Sequence, residues 1–265
     1  MSYFGALIHP YSNIAACSKA VTDLELDLVV LEVNPTVYPW TTYDDWYKNL
    51  SPQSIVMMLS LPNNSTWSSV SPAEFGSQAA MMASRYPEVA RFLCINEPNV
   101  SQYYPPTGIA PQAYMKYFNA MQAAILKERG LTGLGQGSGI TSGPQTSALI
   151  QSYWGLLAAW YDVICFHPYG SSTNPSDGNY VGNTVKPLQQ NNYRYACTEW
   201  EAGAGSAPAI WQACLDTGFQ YAIYYELQDS QNSPNTGLLD QNGSPVQPYY
   251  NDAKEWLAQY HRRTQ

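Results

Sequence analysis

The chain has 265 residues, of which 45% are apolar and only 12% are charged, and its formal net charge is −8. This acidic balance argues against a nucleic-acid ligand, because binding nucleic acid requires a basic patch. No apolar run reaches the length of about 18 residues that a membrane-spanning helix needs. The 22 tyrosines and 8 tryptophans, with so few charges, instead indicate a surface suited to neutral, hydroxyl-rich ligands.

Short apolar segments recur along the chain and predict eight β-strands. The intervals between them can hold one crossover helix each, as parallel strands require. The predicted strands are Phe4–Ile8, Leu28–Val33, Ile55–Leu61, Ala90–Ile95, Gly133–Gly137, Val163–Phe166, Tyr195–Thr198 and Tyr221–Tyr225.

Helical segments lie between these strands. The segment 71–88 has Ser71 as a helix N-cap, Pro72 at the first helical position and Glu74 completing a capping box. The segment 110–130 has apolar residues at helical spacing and ends at Gly130, a residue typical of a helix C-cap. The remaining predicted helices are 147–161, 208–218 and 248–263.

Alternating strands and helices predict the α/β class, and eight such units predict a single (β/α)8 TIM barrel over residues 1–265. The alternative is an open, doubly wound parallel sheet. No glycine-rich phosphate loop follows an early strand, and the glycine run at 133–140 leads into a loop rich in Ser, Thr and Pro rather than into a helix. We therefore favour the barrel.

Polar residues stand at the ends of several predicted strands. In a (β/α)8 barrel these ends share one face, which carries the active site. A single such residue could merely cap its strand, but two glutamates with Asn, His and Tyr beside them predict a functional site. The residues are His9, Asn96, Glu97, His167, Tyr169, Glu199, Tyr225 and Glu226.

Two carboxylates facing each other across a cleft are what cleavage of a glycosidic bond requires. One protonates the leaving oxygen, and the other attacks the anomeric carbon to give a covalent intermediate. We expect Glu97 and Glu199 to be this pair, at a separation of about 5–5.5 Å. Trp40 and Trp200 lie beside the predicted site and are candidates for stacking on sugar rings, with burial in the core as the alternative.

The segments "INEPN" at 95–99, "HPY" at 167–169 and "TEW" at 198–200 resemble clan A of the glycoside hydrolases, nearest to the family 39 type. The resemblance covers residues 91–256. It implies a retaining enzyme in which Glu97 is the acid/base, Glu199 is the nucleophile and Asn96 binds a sugar hydroxyl, with a supporting pair formed by His167 and Tyr169.

The sequence departs from the clan pattern at two strand ends. Many members carry an Arg near the end of strand two, where this chain has Glu32 and Asn34. Many carry a Trp at the end of strand eight, where this chain has Tyr225 and Glu226. The resemblance therefore does not identify the sugar.

The sequence predicts a retaining, endo-acting glycoside hydrolase that cleaves β-glycosidic bonds of a neutral polysaccharide or oligosaccharide by double displacement. The alternative is a catalytically inactive carbohydrate-binding barrel. No cofactor is expected, and three His without His-x-x-x-His spacing argue against a zinc site. We expect a monomer whose partner is the glycan. The compartment stays open, with secretion as the hypothesis and any leader already removed.

A few residues keep two interpretations. Glu201 could rival Glu199 as the nucleophile, although an exposed loop position is favoured. Glu226 and Asp229 each either bind sugar hydroxyls or solvate a loop. Cys94, Cys165 and Cys197 lie in predicted strands and should be buried and reduced, where a thiol behaves as a small hydrophobic group.

Overall fold

The computed structural model describes residues 2–89, 91–129, 163–190, 192–203, 205–231 and 234–264. Strands and helices alternate along these residues, as the apolar segments predict. The described strands are β1 (Tyr3–Ile8), β2 (Leu28–Val33), β3 (Ile55–Leu59), β4 (Arg91–Cys94), β5 (Ile164–Phe166), β6 (Tyr195–Trp200) and β7 (Tyr221–Tyr224).

The helices follow the strands and pack on their outer side. Helix α3 begins as predicted, because the side chain of Ser71 accepts a hydrogen bond from the N–H of Glu74 and Pro72 lies in the first turn. The described α-helices are α1 (Ile14–Asp23), α2 (Trp40–Asn49), α3 (Pro72–Arg85), α4 (Pro111–Arg129), α5 (Val181–Gln190), α6 (Ala207–Asp216) and α7 (Tyr249–Thr264).

The described strands form one parallel sheet in the order β4-β3-β2-β1-β7-β6-β5. This is the cyclic strand order of a (β/α)8 barrel, in which the first strand lies beside the last. The predicted strand Gly133–Gly137 falls between β4 and β5 in the sequence and lies outside the described residues, as does the predicted helix 147–161.

Alternate side chains of each strand point to opposite sides of the sheet. One set, drawn from all the described strands, meets in a single apolar cluster, so the sheet is curled around an interior. The other set, which includes Phe4, Leu31 and Phe92, packs in the larger core between the sheet and the helices. The interior cluster contains Leu7, Leu28, Val30, Val56, Met58, Leu93, Val163, Cys165, Ala196 and Ile223. The fold is the predicted (β/α)8 barrel.

Some boundaries differ from the sequence prediction. Strand β6 continues to Trp200, with a shift of register between Cys197 and Trp200, so Glu199 lies within the strand rather than after it. Helices α1, α2 and α5 were not among the predicted segments. In α5, Val181, Val185 and Leu188 have helical spacing, but Gly182 and Pro187 within the segment are typical of a turn.

Two further features concern the helices and the cysteines. In the described part of the chain, no helix is both long and apolar enough to cross a membrane. Cys94, Cys165 and Cys197 are buried free thiols, as predicted, and so are Cys17 and Cys214.

Candidate active site

The chain turns sharply after β4 and thereby places Glu97. Ile95 and Glu97 both have positive φ angles, of 55° and 42°. Such values are uncommon for residues with side chains and concentrate at functional sites. The hydroxyl of Tyr104 supports the turn by donating to the carbonyl oxygen of Asn96 at 2.9 Å. Glu97 is consequently buried, with 5% of its surface exposed, at the C-terminal end of the barrel.

Glu97, His167 and Glu199 form a compact buried group, although they come from β4, β5 and β6. Each contributes one polar atom, and these three atoms lie within 4.8 Å of one another. His167 Nδ1 lies 2.9 Å from Glu97 Oε1 and 3.9 Å from Glu199 Oε1. The hydroxyl of Tyr169 donates to Glu199 Oε1 at 2.6 Å. The structure therefore brings these four residues together.

Burial and close charges shift the pKa values of this group. Burial raises the pKa of Glu199 to about 7, against the opposing effects of His167 and the Tyr169 hydrogen bond. Burial alone would lower the pKa of His167, but the charge of Glu199 and the contact with Glu97 outweigh it and raise the value to about 9. The pKa of Tyr169 is raised by burial and by Glu199, so Tyr169 stays a neutral donor.

Glu97, His167 and Glu199 have the donor types that bind a divalent metal. However, His167 Nδ1 and Glu97 Oε1 are already at hydrogen-bonding distance, 2.9 Å. Glu199 Oε1 likewise accepts from Tyr169. The polar atoms that would bind a metal are therefore already engaged in contacts with one another and with Tyr169.

A second titratable group lies beside the first. His9 follows β1 and contacts Glu226 after β7, with Nε2 2.7 Å from Glu226 Oε2. Burial opposes protonation of His9, but Glu226, with Glu32 and Glu199, raises its pKa above the ordinary value. Burial also raises the pKa of Glu32, against the effects of His9 and Ser60.

A cleft of about 710 Å³ lies beside this group and has Glu199 in its lining. Glu97, His167 and Tyr169 are packed around Glu199 and are not among the lining residues. Among the predicted site residues, Tyr225, His9, Asn96 and Glu199 border it. No Lys or Arg is among its described lining residues, which are otherwise mainly amides and tyrosines. The lining consists of Leu7, His9, Pro10, Tyr11, Glu32, Asn34, Val37, Tyr38, Asn63, Asn64, Asn96, Gln102, Tyr103, Glu199, Tyr225 and Ser230.

Besides His167 and Tyr169, three residues predicted to contact sugar do not line the cleft. Trp200 is fully buried in the outer core, on the opposite face of β6 from Glu199. Regular alternation from the interior residue Ala196 would place Trp200 inside the barrel, and the register shift between Cys197 and Trp200 reverses this. Trp40 begins helix α2 instead of lying in a loop, and its ring packs against Tyr43 and Tyr86. Glu226 is fully buried beneath His9. For the two tryptophans, burial in the core was the competing interpretation.

Asp229 and Glu201, which had two interpretations each, accept hydrogen bonds from backbone N–H groups. Asp229 Oδ1 accepts from the N–H groups of Thr236 and Gly237 at 2.9 and 2.6 Å and so stabilises the loop that contains them. Glu201 Oε1 accepts the N–H of Gly203 at 2.6 Å.

Several cleft residues escaped the sequence analysis as ligand candidates. Asn34 follows β2 in "LEVNP", and Asn63 and Asn64 follow β3 in "LPNN". These three residues follow buried strands, which is the same signal that identified Glu97, so the sequence could have indicated them. Gln102 and Tyr103 lie deeper in a loop, where no strand end marks them.

No known family model matches the chain, and no curated protein matches it in sequence. Solved structures do resemble it. A psychrophilic family 10 endo-β-1,4-xylanase has a TM-score of 0.66 at 13% identity, over 95% of this chain and 96% of that one. A family 128 endo-β-1,3-glucanase from Pseudomonas viridiflava has 0.60 at 13%, over 97% of each chain. A β-galactosidase from Bacillus circulans sp. alkalophilus has 0.69 at 11%, over 98% of this chain and 56% of that one.

These neighbours are all glycoside hydrolases. At such identities the likeness shows the fold alone, and that fold is the barrel predicted from the strands. The narrower resemblance to family 39 stays a prediction.

Proposed function

We propose that this chain is a retaining β-glycosidase, with Glu199 as the nucleophile and Glu97 as the acid/base. The carrying observation is the pair of buried carboxylates at the strand ends, with an oxygen of each within 4.8 Å of the other. Retaining enzymes place the two carboxyl groups about 5–5.5 Å apart, whereas inverting enzymes leave about 6.5–9.5 Å for a water. The short separation supports retention.

Glu199 is prepared for attack on the anomeric carbon. The 2.6 Å hydrogen bond from Tyr169 stabilises its ionised form. The nearby His167, 3.9 Å from Glu199 Oε1, adds positive charge when protonated. The attack breaks the bond to the leaving oxygen and forms a glycosyl ester on Glu199, which water then hydrolyses.

Glu97 supplies the proton that the leaving oxygen needs. Glu97 and His167 are 2.9 Å apart and can share one proton. Because the pKa of His167 is raised to about 9, the pair retains this proton up to a pH of about 9. Glu97 delivers the proton as the glycosidic bond breaks and removes one from the incoming water in the second step.

The cleft supports a neutral glycan as the substrate. It has amide and tyrosine side chains that bind hydroxyl groups, and its described lining has no Lys or Arg to pair with an acidic sugar. Its volume of about 710 Å³ accommodates more than one sugar ring. The xylanase and glucanase neighbours carry endo-acting names, which supports internal cleavage of a β-linked polymer.

A polysaccharide panel tests this function. The purified chain should release oligosaccharides of several sizes from at least one neutral β-glycan, read by mass spectrometry. Glu97→Gln and Glu199→Gln should each abolish release, and Glu201→Gln is the matched control because Glu201 binds a loop N–H group. Activity that survives both substitutions would refute the catalytic pair. Glycan binding without any hydrolysis would favour a binding barrel.

A further inference from the structure

The His9–Glu226 pair lies outside the two-carboxylate mechanism. Its residues come from opposite ends of the chain and meet because β1 pairs with β7. Glu226 is fully buried, and each of its oxygens has a close polar neighbour, a backbone N–H at Oε1 and the His9 ring in an ion pair at Oε2. Oε1 accepts the N–H of Ser230 at 2.9 Å, and Oε2 lies 2.7 Å from His9 Nε2. Because Glu226 is enclosed and does not line the cleft, it does not reach a sugar bound there.

His9, in contrast, reaches the cleft. Its ring stacks on Tyr11 at 5.0 Å with an interplanar angle of 3° and meets the edge of Tyr225 at 5.8 Å. These two rings and Glu226 fix the orientation of the imidazole. Nε2 lies 2.7 Å from Glu226 Oε2 in an ion pair, and Nδ1 has no hydrogen-bond partner among the described residues. Because His9 borders the cleft and its side chain is 13% exposed, Nδ1 is the atom left for a ligand.

We propose that Glu226 is a positioning residue that holds His9 as an imidazolium, so that Nδ1–H of His9 donates a hydrogen bond to a sugar oxygen beside Glu199. This inference rests on the proposed glycosidase function. It differs from the sequence expectation in that Glu226 acts through His9 rather than touching the sugar.

The charge state follows from the tautomer chemistry of imidazole. A neutral ring has one N–H, and if that hydrogen points to Glu226, Nδ1 is only an acceptor. Only the protonated ring donates from both nitrogens. Glu226, Glu32 and Glu199 all favour protonation, and the other groups packed on the ring, Tyr11 and Tyr225, are aromatic.

An NMR titration tests the pair without any substrate. The chain has three His, so the Cε1–H signal of His9 can be assigned by its loss in His9→Gln. Glu226→Gln should lower the His9 pKa by about one unit, because a carboxylate within hydrogen-bonding distance is lost. Asp229→Asn is the control, since it removes a charge from the same loop while keeping the acceptor oxygen. An unchanged His9 pKa in Glu226→Gln would overturn the proposal.

Kinetics test the contact with the sugar. On the glycan that the panel identifies, Glu226→Gln and His9→Gln should each raise KM about tenfold, the effect of one lost charge-assisted hydrogen bond. The double variant should be no worse than His9→Gln, because Glu226 acts through His9. Additive losses, or an unaltered KM in His9→Gln, would refute the sugar contact, and the His9→Gln result stands even if Glu226→Gln does not fold. If the wild type cleaves no glycan, the glycosidase proposal fails while the titration still judges the pair.

Discussion

Replacing Tyr169 by Phe removes the hydroxyl that holds Glu199 and leaves the ring. The lost bond is a hydrogen bond of 2.6 Å to a buried carboxylate. Hydrogen bonds to charged groups contribute about 1.5–3 kcal/mol. At about 1.4 kcal/mol per pKa unit, the pKa of Glu199 should rise by roughly one to two units from its value of about 7.

The shift should appear in the pH dependence of kcat/KM, which reports the groups of the free enzyme. The wild type should have an acid limb at about pH 7, from Glu199, and an alkaline limb at about pH 9, from the proton shared by His167 and Glu97. Tyr169→Phe should move the acid limb upward and reduce kcat/KM at pH 6 by about ten- to a hundredfold.

Tyr195→Phe is the matched control for this experiment. Tyr195 begins β6 at the opposite end of the barrel, and its hydroxyl donates to the carbonyl oxygen of Thr217. Its loss should lower the free energy of unfolding without moving either limb. A folded Tyr169→Phe enzyme with an unmoved acid limb would refute the role assigned to Tyr169.

Two further predictions concern the pH dependence of stability and the reactivity of the thiols. Because the pKa of His167 rises from 6.5 to about 9 on folding, its stabilising contribution is complete below pH 6.5 and is lost as the pH rises through 9. The denaturant midpoint should therefore fall between pH 6.5 and 9, and His167→Gln should flatten that fall; an equal fall in both proteins would contradict the assignment. All five thiols should react slowly with a thiol reagent in the native protein, since each is buried and burial raises the pKa of Cys17 to about 12. Rapid labelling of any of them before unfolding would show that its strand or helix is misplaced.

The sequence predicts the barrel because a strand that is buried on both faces consists of consecutive apolar residues. The run around Val29 and the run around Met57 are each followed by polar residues, so their strands were located to within two residues. Helix α5 escaped because Gly182 and Pro187 interrupt its short apolar stripe and are typical of turns. Its three apolar residues, Val181, Val185 and Leu188, pack in the outer core.

The sequence predicts a site residue when that residue follows a strand. It does not predict which of these residues are buried by contacts with neighbouring loops and helices. Glu97, His167 and Glu199 follow from strand ends and from the clan motifs. Glu226 has the same signal but is enclosed, because its loop folds back and Ser230 binds it. Trp200 is next to Glu199 in the sequence, but it lies on the opposite face of β6 and does not reach the cleft.

The stereochemistry of azide rescue tests the central claim most directly. With an aryl glycoside of the sugar that the panel identifies, Glu97→Ala plus azide should yield the β-glycosyl azide, because azide attacks the ester that still forms on Glu199. Glu199→Ala plus azide should yield the α-azide by direct displacement, and without azide it should be inactive. NMR of the products distinguishes the two. Exchanged products would reverse the assigned roles, and near-native hydrolysis by both variants without azide would contradict the account.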